Sequence, residues 1–503
     1  MANRRDLSCD VLVIGSGAGG LATAITARKS GLDVVVIEKD KYFGGTTAFS
    51  GGVLWIPGNR HARDTGIADS RDAARSYLKH ETGNHFDDAA IDAFLDVGPR
   101  MLDFFEAETE AKFLLSGYPD YHPDVEGGAA IGRSVTAAPY DARALGDEIR
   151  RLRPPLETIT FIGMMFNSSN DELKHFFRVT RSLASAVYVA KRLASHLKDL
   201  ALYRRGVKIT SGNALVARLA KTVFDLKIPL LTGTPAQQLI IRDGAVRGAV
   251  VRDDTGEYGI EARRGVVLAS GGFPHDVERI AAAYPHLARG GEHLSPTPAA
   301  NTGDGIRMAE AAGGVCDIRA TNAAAWIPVS RVPLGGSRTG VFPHLVDRYK
   351  PGVIAVNRRG QRFTNESNSY HDVGAAMIAD AAGGRDTAAW LICDHATIRK
   401  YGLGYAKPAP VPVSPFVRSG YLKSGATLRE LAHAAGIDAD GLEATVGAYN
   451  QGAVQGVDRQ FKRGTTAFNR YLGDGDHKPN PNVAPIGAGP YYALKLIMGD
   501  LGT

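Results

Sequence analysis

The sequence predicts an α/β fold, and three observations carry that reading. An apolar run, a glycine-rich turn, a helical stretch and a second apolar run follow one another over residues 9–38; a late strand closes on Gly271-Gly272; and there are 59 glycines without a fixed-period repeat. The order strand, turn, helix, strand is a βαβ unit, which demands a parallel sheet and a right-handed crossover. Glycine in such excess marks tight turns and places where backbone closely approaches backbone or ligand. At ~100–200 residues per domain, a chain of 503 residues implies two or three domains with ample volume for a core.

Taken in order, residues 9–14 read as the first strand, 21–29 as a helix and 33–37 as the second strand. Residues 72–110 read as helical, with Leu78, Phe94, Leu95, Met101, Phe104 and Phe105 among charged positions. A loop rich in Pro, Gly and Tyr follows over 116–133. Residues 176–205 form one or two basic amphipathic helices, either a solvated surface or a face that docks on a membrane or a partner. Within 228–252 two strands flank Asp243-Gly244, a hairpin signal. Residues 265–270 read as a buried strand.

Composition removes several classes. Lys and Arg number 59 against 53 Asp and Glu, a net charge of +6 spread over the whole chain, which falls well short of a nucleic-acid-binding surface. Cys9, Cys316 and Cys393 are too far apart for a C-x-x-C metal or redox pair and too few for a disulfide framework, so a reducing cytoplasm is expected and no metal site. No apolar run approaches the ~20 residues of a membrane span, and the start carries no secretory h-region.

Gly15-Ser16-Gly17-Ala18-Gly19-Gly20 satisfies G-x-G-x-x-G, and Glu38 closes the next strand where a carboxylate can take ribose hydroxyls. Glycines let backbone N–H groups approach a pyrophosphate, while the helix N-terminus adds partial positive charge. This context makes the motif a dinucleotide site. The stretch after Glu38 separates the candidates. A nicotinamide dehydrogenase has no evident use for GGTTAFSGG (44–52), whereas a retained flavin can use its N–H and hydroxyl groups at pyrophosphate, ribitol and ring edge. Gly45, Thr46, Thr47, Ser50, Gly51 and Gly52 are therefore candidate ligands.

Glu38-Lys39, GGTTAFSGG (44–52), RGVVLASGGF (264–273) and ANTGDG (300–305) together resemble the fumarate reductase and 3-ketosteroid dehydrogenase superfamily of FAD flavoproteins, over nearly the whole chain. The resemblance implies a Rossmann-like FAD-binding domain of the GR2 type over 1–320, an inserted α+β catalytic domain over 321–497, and at 498–503 the start of a return to the FAD-binding domain. It implies non-covalent FAD, with Lys39, Ala236 beside the adenine, the Ser270-Gly271-Gly272 turn and Asp304 as further contacts.

One segment divides that superfamily, here Gly360-Gln361-Arg362-Phe363-Thr364-Asn365-Glu366-Ser367-Asn368-Ser369-Tyr370. In fumarate reductases a similar N-E-x-x-x segment is followed by a proton-donating arginine. In 3-ketosteroid Δ1-dehydrogenases a tyrosine stands there as the base, supported by a second tyrosine in a P-D-Y loop, which Pro119-Asp120-Tyr121 matches. A guanidinium stays charged, whereas a phenol can lose its proton and act as a base. At an ordinary pKa of ~10, Tyr370 is a poor base unless its phenolate is hydrogen-bonded, and Tyr121 is the expected donor. His122 reads as a loop residue. Phe49, Trp55, Trp326 and Phe363 are candidate walls of an apolar slot, though ordinary core is the first reading of each.

The resemblance thus implies a 3-oxosteroid Δ1-dehydrogenase. A 3-oxo group acidifies C2, Tyr370 takes the proton, C1 delivers hydride to flavin N5, and a quinone or similar acceptor removes the electrons, with peripheral membrane association left open. Family members stabilise the C3 oxygen from a segment beyond G-D-L-G-T, and the sequence closes at Gly499-Asp500-Leu501-Gly502-Thr503, so that FAD-contacting segment is expected to be missing. Two rivals stand beside this reading: a reductase of unsaturated acids, against which Tyr370 argues, and a shortened non-catalytic FAD-binding protein.

Overall fold

A computed structural model describes residues 7–166, 175–176, 178–179, 182–316, 322–381, 384 and 386–503. The first sheet has six strands in the order Leu230–Thr232, Val34–Glu38, Leu7–Ile14, Gly256–Leu268, Ala245–Asp253 and Ala236–Arg242. Val11 to Ile14 pair in parallel with Val34 to Ile37 on one side and with Gly265 to Leu268 on the other. At 12–14 and 34–37 its parallel part is buried on both faces. Val13, Val34 and Val36 pack with Leu21 and Ile25 of helix Ala18–Lys29, while Leu12, Ile14, Val35 and Ile37 fill the opposite core. Such strands read as unbroken apolar runs because neither face meets water.

Several boundaries move for physical reasons. Helix Ala18–Lys29 begins inside the glycine motif, since Gly17 is its N-cap. The stretch expected as one helical region breaks into Arg71–Thr82 and Asp88–Glu108: Gly83 adopts φ 53°, and the Asp87 carboxylate accepts from the Ala90 N–H to start the second helix. Asp243 and Gly244 take φ 52° and 72°, the left-handed pair a two-residue hairpin turn requires. Leu230–Thr232, expected within that hairpin, pairs instead with Val34–Glu38. The strand expected as buried at 265–270 is the end of the longer Gly256–Leu268, and there it is only half-buried. Helix Ser211–Asp225 escaped the sequence reading: most of it is buried, and its polar side is a narrow stripe of Arg218, Lys221 and Asp225.

A second, antiparallel sheet runs Thr339–Pro343, Trp326–Pro333, Tyr491–Asp500, Ala389–Asp394 and Ile354–Val356, with Lys423–Gly425 also on Tyr491–Asp500. That central strand continues past Ile497, so Gly499 and Asp500 still pair with Ile327 and Trp326 across the boundary expected at 497/498. The boundary expected at 320/321 lies outside the described residues. Trp326 is core, in edge contact with Tyr284 and His286, and Phe363 packs at the border of the same cluster.

The basic stretch forms helix Leu183–Tyr203, and the part at 177, 180 and 181 lies outside the described residues. Its polarity is inverted. Ser185, His196 and Asp199 face inward, and His196 Nε2 bonds the Ile162 carbonyl at 2.8 Å, while Leu183 (82 % exposed), Val187, Leu197 and Leu202 face outward beside Lys191 and Lys198. Among the described residues no helix is long and apolar enough to cross a membrane.

Candidate active site

The tyrosine loop is anchored from one side by Asp120. This buried carboxylate accepts from Trp55 Nε1 at 2.7 Å, Arg133 Nη1 at 2.8 Å and the Ala129 N–H at 2.9 Å, while Arg133 is itself held by Asp69. Trp55, a candidate slot wall, is thus a tie between strand Val53–Trp55 and the loop. Because that strand follows Gly52 directly, the second glycine loop and the Tyr121 loop share one scaffold.

Tyr370 is carried by a buried polar knot. Glu366, fully buried, receives Arg362 in a bidentate pair at 2.7 Å on each oxygen and also accepts from the Ala355 N–H at 3.0 Å. Arg362 reaches on to Asp458 at 2.8 Å, and Arg463 closes the group on Glu366, Ser367 and the carbonyls of Arg348, Lys350 and Val353. Asn365 bonds Asn469 at 2.9 Å. Burial pushes the Glu366 carboxyl up, but the flanking arginines outweigh it and hold it below its ordinary value. Ser369 then caps helix Tyr370–Asp380 through the Asp372 N–H, so Tyr370 leaves the knot as the first residue of the helix.

The two tyrosines meet. Their hydroxyls share a hydrogen bond of 2.6 Å, with rings edge-on at 5.6 Å and 77°. That separation is that of a short but ordinary O–H···O bond, and either hydroxyl can donate. Withdrawal from water raises the Tyr370 pKa, and the bond from Tyr121 lowers it; burial wins, so Tyr370 stands above its ordinary value where the sequence argument expected the bond to prevail. Tyr121, 41 % exposed overall, is raised by the withdrawal of its hydroxyl end and by Tyr370 itself.

The glycine segments converge on the carboxyl ends of the parallel strands. Gly15 (φ 112°) lies against Ala269 and Ser270, and a Cβ on Gly20 would overlap the Gly15 carbonyl oxygen. Gly17 caps its helix without a side chain, and the Ala18 N–H donates to Thr47 Oγ1 at 3.1 Å. Glu38 accepts from the Ser16 hydroxyl and N–H and from the Asp40 N–H. Lys39 Nζ reaches Asp304 at 2.5 Å; burial raises that carboxyl, and Lys39 brings it below its ordinary value. Gly45 lies next to Gly17, and Gly271 next to Asn301. Ser50, Gly51 and Gly52 lie farther along, where Ser50 O accepts from the Gly212 N–H and Gly52 presses on Ser211. Ala236 opens its strand two residues after Thr234, whose N–H donates to the Glu38 carbonyl. The two centres approach each other through the segment at 501–503: Leu501 packs in one cluster with Tyr370, and Thr503 Oγ1 accepts from the Phe273 N–H at 2.6 Å beside the Gly271-Gly272 turn.

Three residues were missed. Asn301 donates to Thr46 Oγ1 at 2.6 Å and Thr302 accepts from Lys39 at 2.6 Å; both stand in the ANTGDG stretch, where only Asp304 was selected. His122 bridges Glu81 and Asp372, two partners distant from it in sequence.

A family model described as an FAD binding domain matches residues 10–503. A 4-oxocyclohex-2-ene-1-carboxylate 5-dehydrogenase of Sinomonas cyclohexanicum is 44 % identical over 99 % of this chain and 84 % of its own length. A 3-oxosteroid 1-dehydrogenase of Mycolicibacterium smegmatis is 37 % identical over 98 % of this chain and 86 % of its own. The crystal structure of a 3-ketosteroid delta1-dehydrogenase from Sterolibacterium denitrificans superposes with a TM-score of 0.88 at 35 % identity, covering 99 % of this chain and 88 % of that one.

The cradle suits FAD on its own geometry: the helix N-terminus carries no side-chain cap and no acidic residue in its first turn, and Gly15 and Gly20, packed on backbone, fix the tight turn that presents it. Gly20→Ala is expected to cut FAD retention by at least ~10-fold, read as flavin absorbance per protein after desalting. Wild-type occupancy in the variant would show that the turn does not hold the cofactor.

Proposed function

The chain belongs to the FAD-binding flavoprotein family and is an FAD-dependent oxidoreductase of the CH–CH dehydrogenase kind, and we propose that it introduces a double bond next to a ring ketone, with Tyr370 as base. The hydroxyl contact between Tyr121 and Tyr370 carries this reading. Bound FAD supplies the two-electron acceptor that takes hydride at N5. Tyr370 removes the proton α to the carbonyl, and Tyr121 donates to the phenolate, which makes the deprotonated form accessible. The first sheet acts as the FAD-binding part and the second carries the catalytic segment. Gly15 to Gly20, Glu38, Lys39, the 45–52 loop, Ala236, the 270–272 turn and Asp304 hold FAD non-covalently.

The leading substrate is a 3-oxosteroid, oxidised at C1–C2. The 44 % relative supports a second reading, an oxocyclohexene carboxylate, in which the same proton and hydride leave a single ring. Anaerobic titration separates them: a 3-keto-4-ene steroid bleaches the flavin in the first case, 4-oxocyclohex-2-ene-1-carboxylate in the second. Fumarate is expected to be inert because no arginine stands at Tyr370. Bleaching by neither ketone would end the proposal.

We further propose a cytoplasmic enzyme that rests on an anionic membrane surface and passes its electrons to a quinone. The outward apolar stripe of Leu183–Tyr203 with Lys191 and Lys198 supports this arrangement. Wild type is expected to float with phosphatidylglycerol vesicles, and a Leu197→Asp, Leu202→Asp variant to stay behind. Equal behaviour of the two proteins would remove the helix from the argument.

A further inference from the structure

Asp120 ties the Tyr121 loop to Trp55 and Arg133, on the side away from Tyr370. Among the described residues, two hydrogen bonds join that loop to helix Tyr370–Asp380: the contact between the two phenols and the bond from His122 Nε2 to Asp372 Oδ2 at 3.1 Å. His122 Nδ1 meets both oxygens of Glu81, at 2.9 and 3.0 Å. Carboxylates only accept, so satisfying both ring nitrogens requires both to carry protons, and the ring is an imidazolium. His122 follows Tyr121 directly, and Asp372 lies in the first turn after Tyr370.

We propose that His122 is the positioning residue of the tyrosine pair, holding the Tyr121 hydroxyl on Tyr370 by clamping the loop to helix Tyr370–Asp380 on one side and to Glu81 of helix Arg71–Thr82 on the other. The inference rests on the reading of Tyr370 as base. Tyr121 is 41 % exposed, and beyond the phenol contact its ring meets Phe468 edge-on; Asp120 holds the loop on the far side, so the His122 bridge is what fixes its spacing from the helix on the Tyr370 side. A displacement of ~1 Å at a catalytic contact costs on the order of 10²-fold in rate.

The groups facing His122 are Tyr77, whose hydroxyl accepts the His122 backbone N–H, Glu81 with His80 beside it, and Asp372 with His371 beside it, besides the two phenols. The bonds to Asp372 first and Glu81 second raise the His122 pKa to about 10. Because the folded-state value lies above the ordinary ~6.5, the clamp is complete below that pH and is lost as pH rises through about 10.

The test is a double-mutant cycle on the rate of flavin reduction by saturating ketone, with FAD content and thermal midpoint as folding checks. His122→Ala is expected to lower that rate roughly 10- to 100-fold at unchanged KM, and by less than ~2-fold in a Tyr121→Phe background, because the clamp then has nothing to place. His122→Gln and Asp372→Asn carry the same expectation if the alanine variant does not accumulate. Equal losses in both backgrounds, or no loss, overturn the proposal. A Tyr370→Phe variant at full rate would instead sink the underlying reading, so the two failures are distinguishable.

Discussion

Tyr370→Phe is expected to retain its FAD and its fold but to reduce flavin with ketone about 10²–10⁴-fold more slowly than wild type, the usual worth of a positioned acid or base. The substitution removes one hydroxyl and leaves the ring in its cluster with Ile327, Val329 and Leu501, so packing changes little. It also strips Tyr121 of its 2.6 Å partner. The base is costly to ionise: burial raises Tyr370, and Tyr121 offsets only part of that rise. Wild-type rates should therefore climb with pH through the neutral range as the phenolate fraction grows, and this slope should vanish in Tyr370→Phe. Stopped-flow absorbance of the flavin under anaerobic conditions, across pH, reads both effects. A variant within ~3-fold of wild type would remove Tyr370 from the chemistry.

Glu366→Ala is expected to destabilise the molecule by about 3–5 kcal/mol, the range for removing one partner from a buried ion group. Arg362 and Arg463 are fully buried against Glu366, and its loss leaves Arg362 to Asp458 and takes the carboxylate from Arg463, which keeps Ser367 and the carbonyls of Arg348, Lys350 and Val353. The Ala355 N–H loses its acceptor as well. Thermal unfolding followed by circular dichroism should show the midpoint fall by several degrees. Activity should fall too at temperatures where the protein remains folded, because the same knot delivers Tyr370 to Tyr121. An unchanged midpoint would mean that the guanidinium groups find water or other acceptors.

The glycine motif was legible because its requirement is local: a backbone that must pass under another strand tolerates no Cβ, and that demand is written in the sequence at Gly15 and Gly20. Tyr370 and Tyr121 were legible through the motifs that carry them, though not the balance between burial and hydrogen bond that sets the Tyr370 pKa. His122 was not, since its bridge depends on Glu81 and Asp372, brought together only by the fold. Helix Ser211–Asp225 was missed for the opposite reason: most of it is buried, and Arg218, Lys221 and Asp225 leave only a narrow polar stripe. The outward apolar stripe of Leu183–Tyr203 gave a helical period, but period alone does not say which face looks inward.

The place of Tyr491–Asp500 constrains how the molecule assembles. It lies between Trp326–Pro333 and Ala389–Asp394 and also takes Lys423–Gly425. During synthesis these three strands emerge first and wait with unpaired edges, while the βαβ unit at the other end can already form its local contacts. Pairing of such sequence separation is slow to nucleate, and open edges attract other chains. Refolding is therefore expected in at least two phases, with the slower one reporting the capture of this strand, and chains halted before residue 491 should need chaperones to stay in solution.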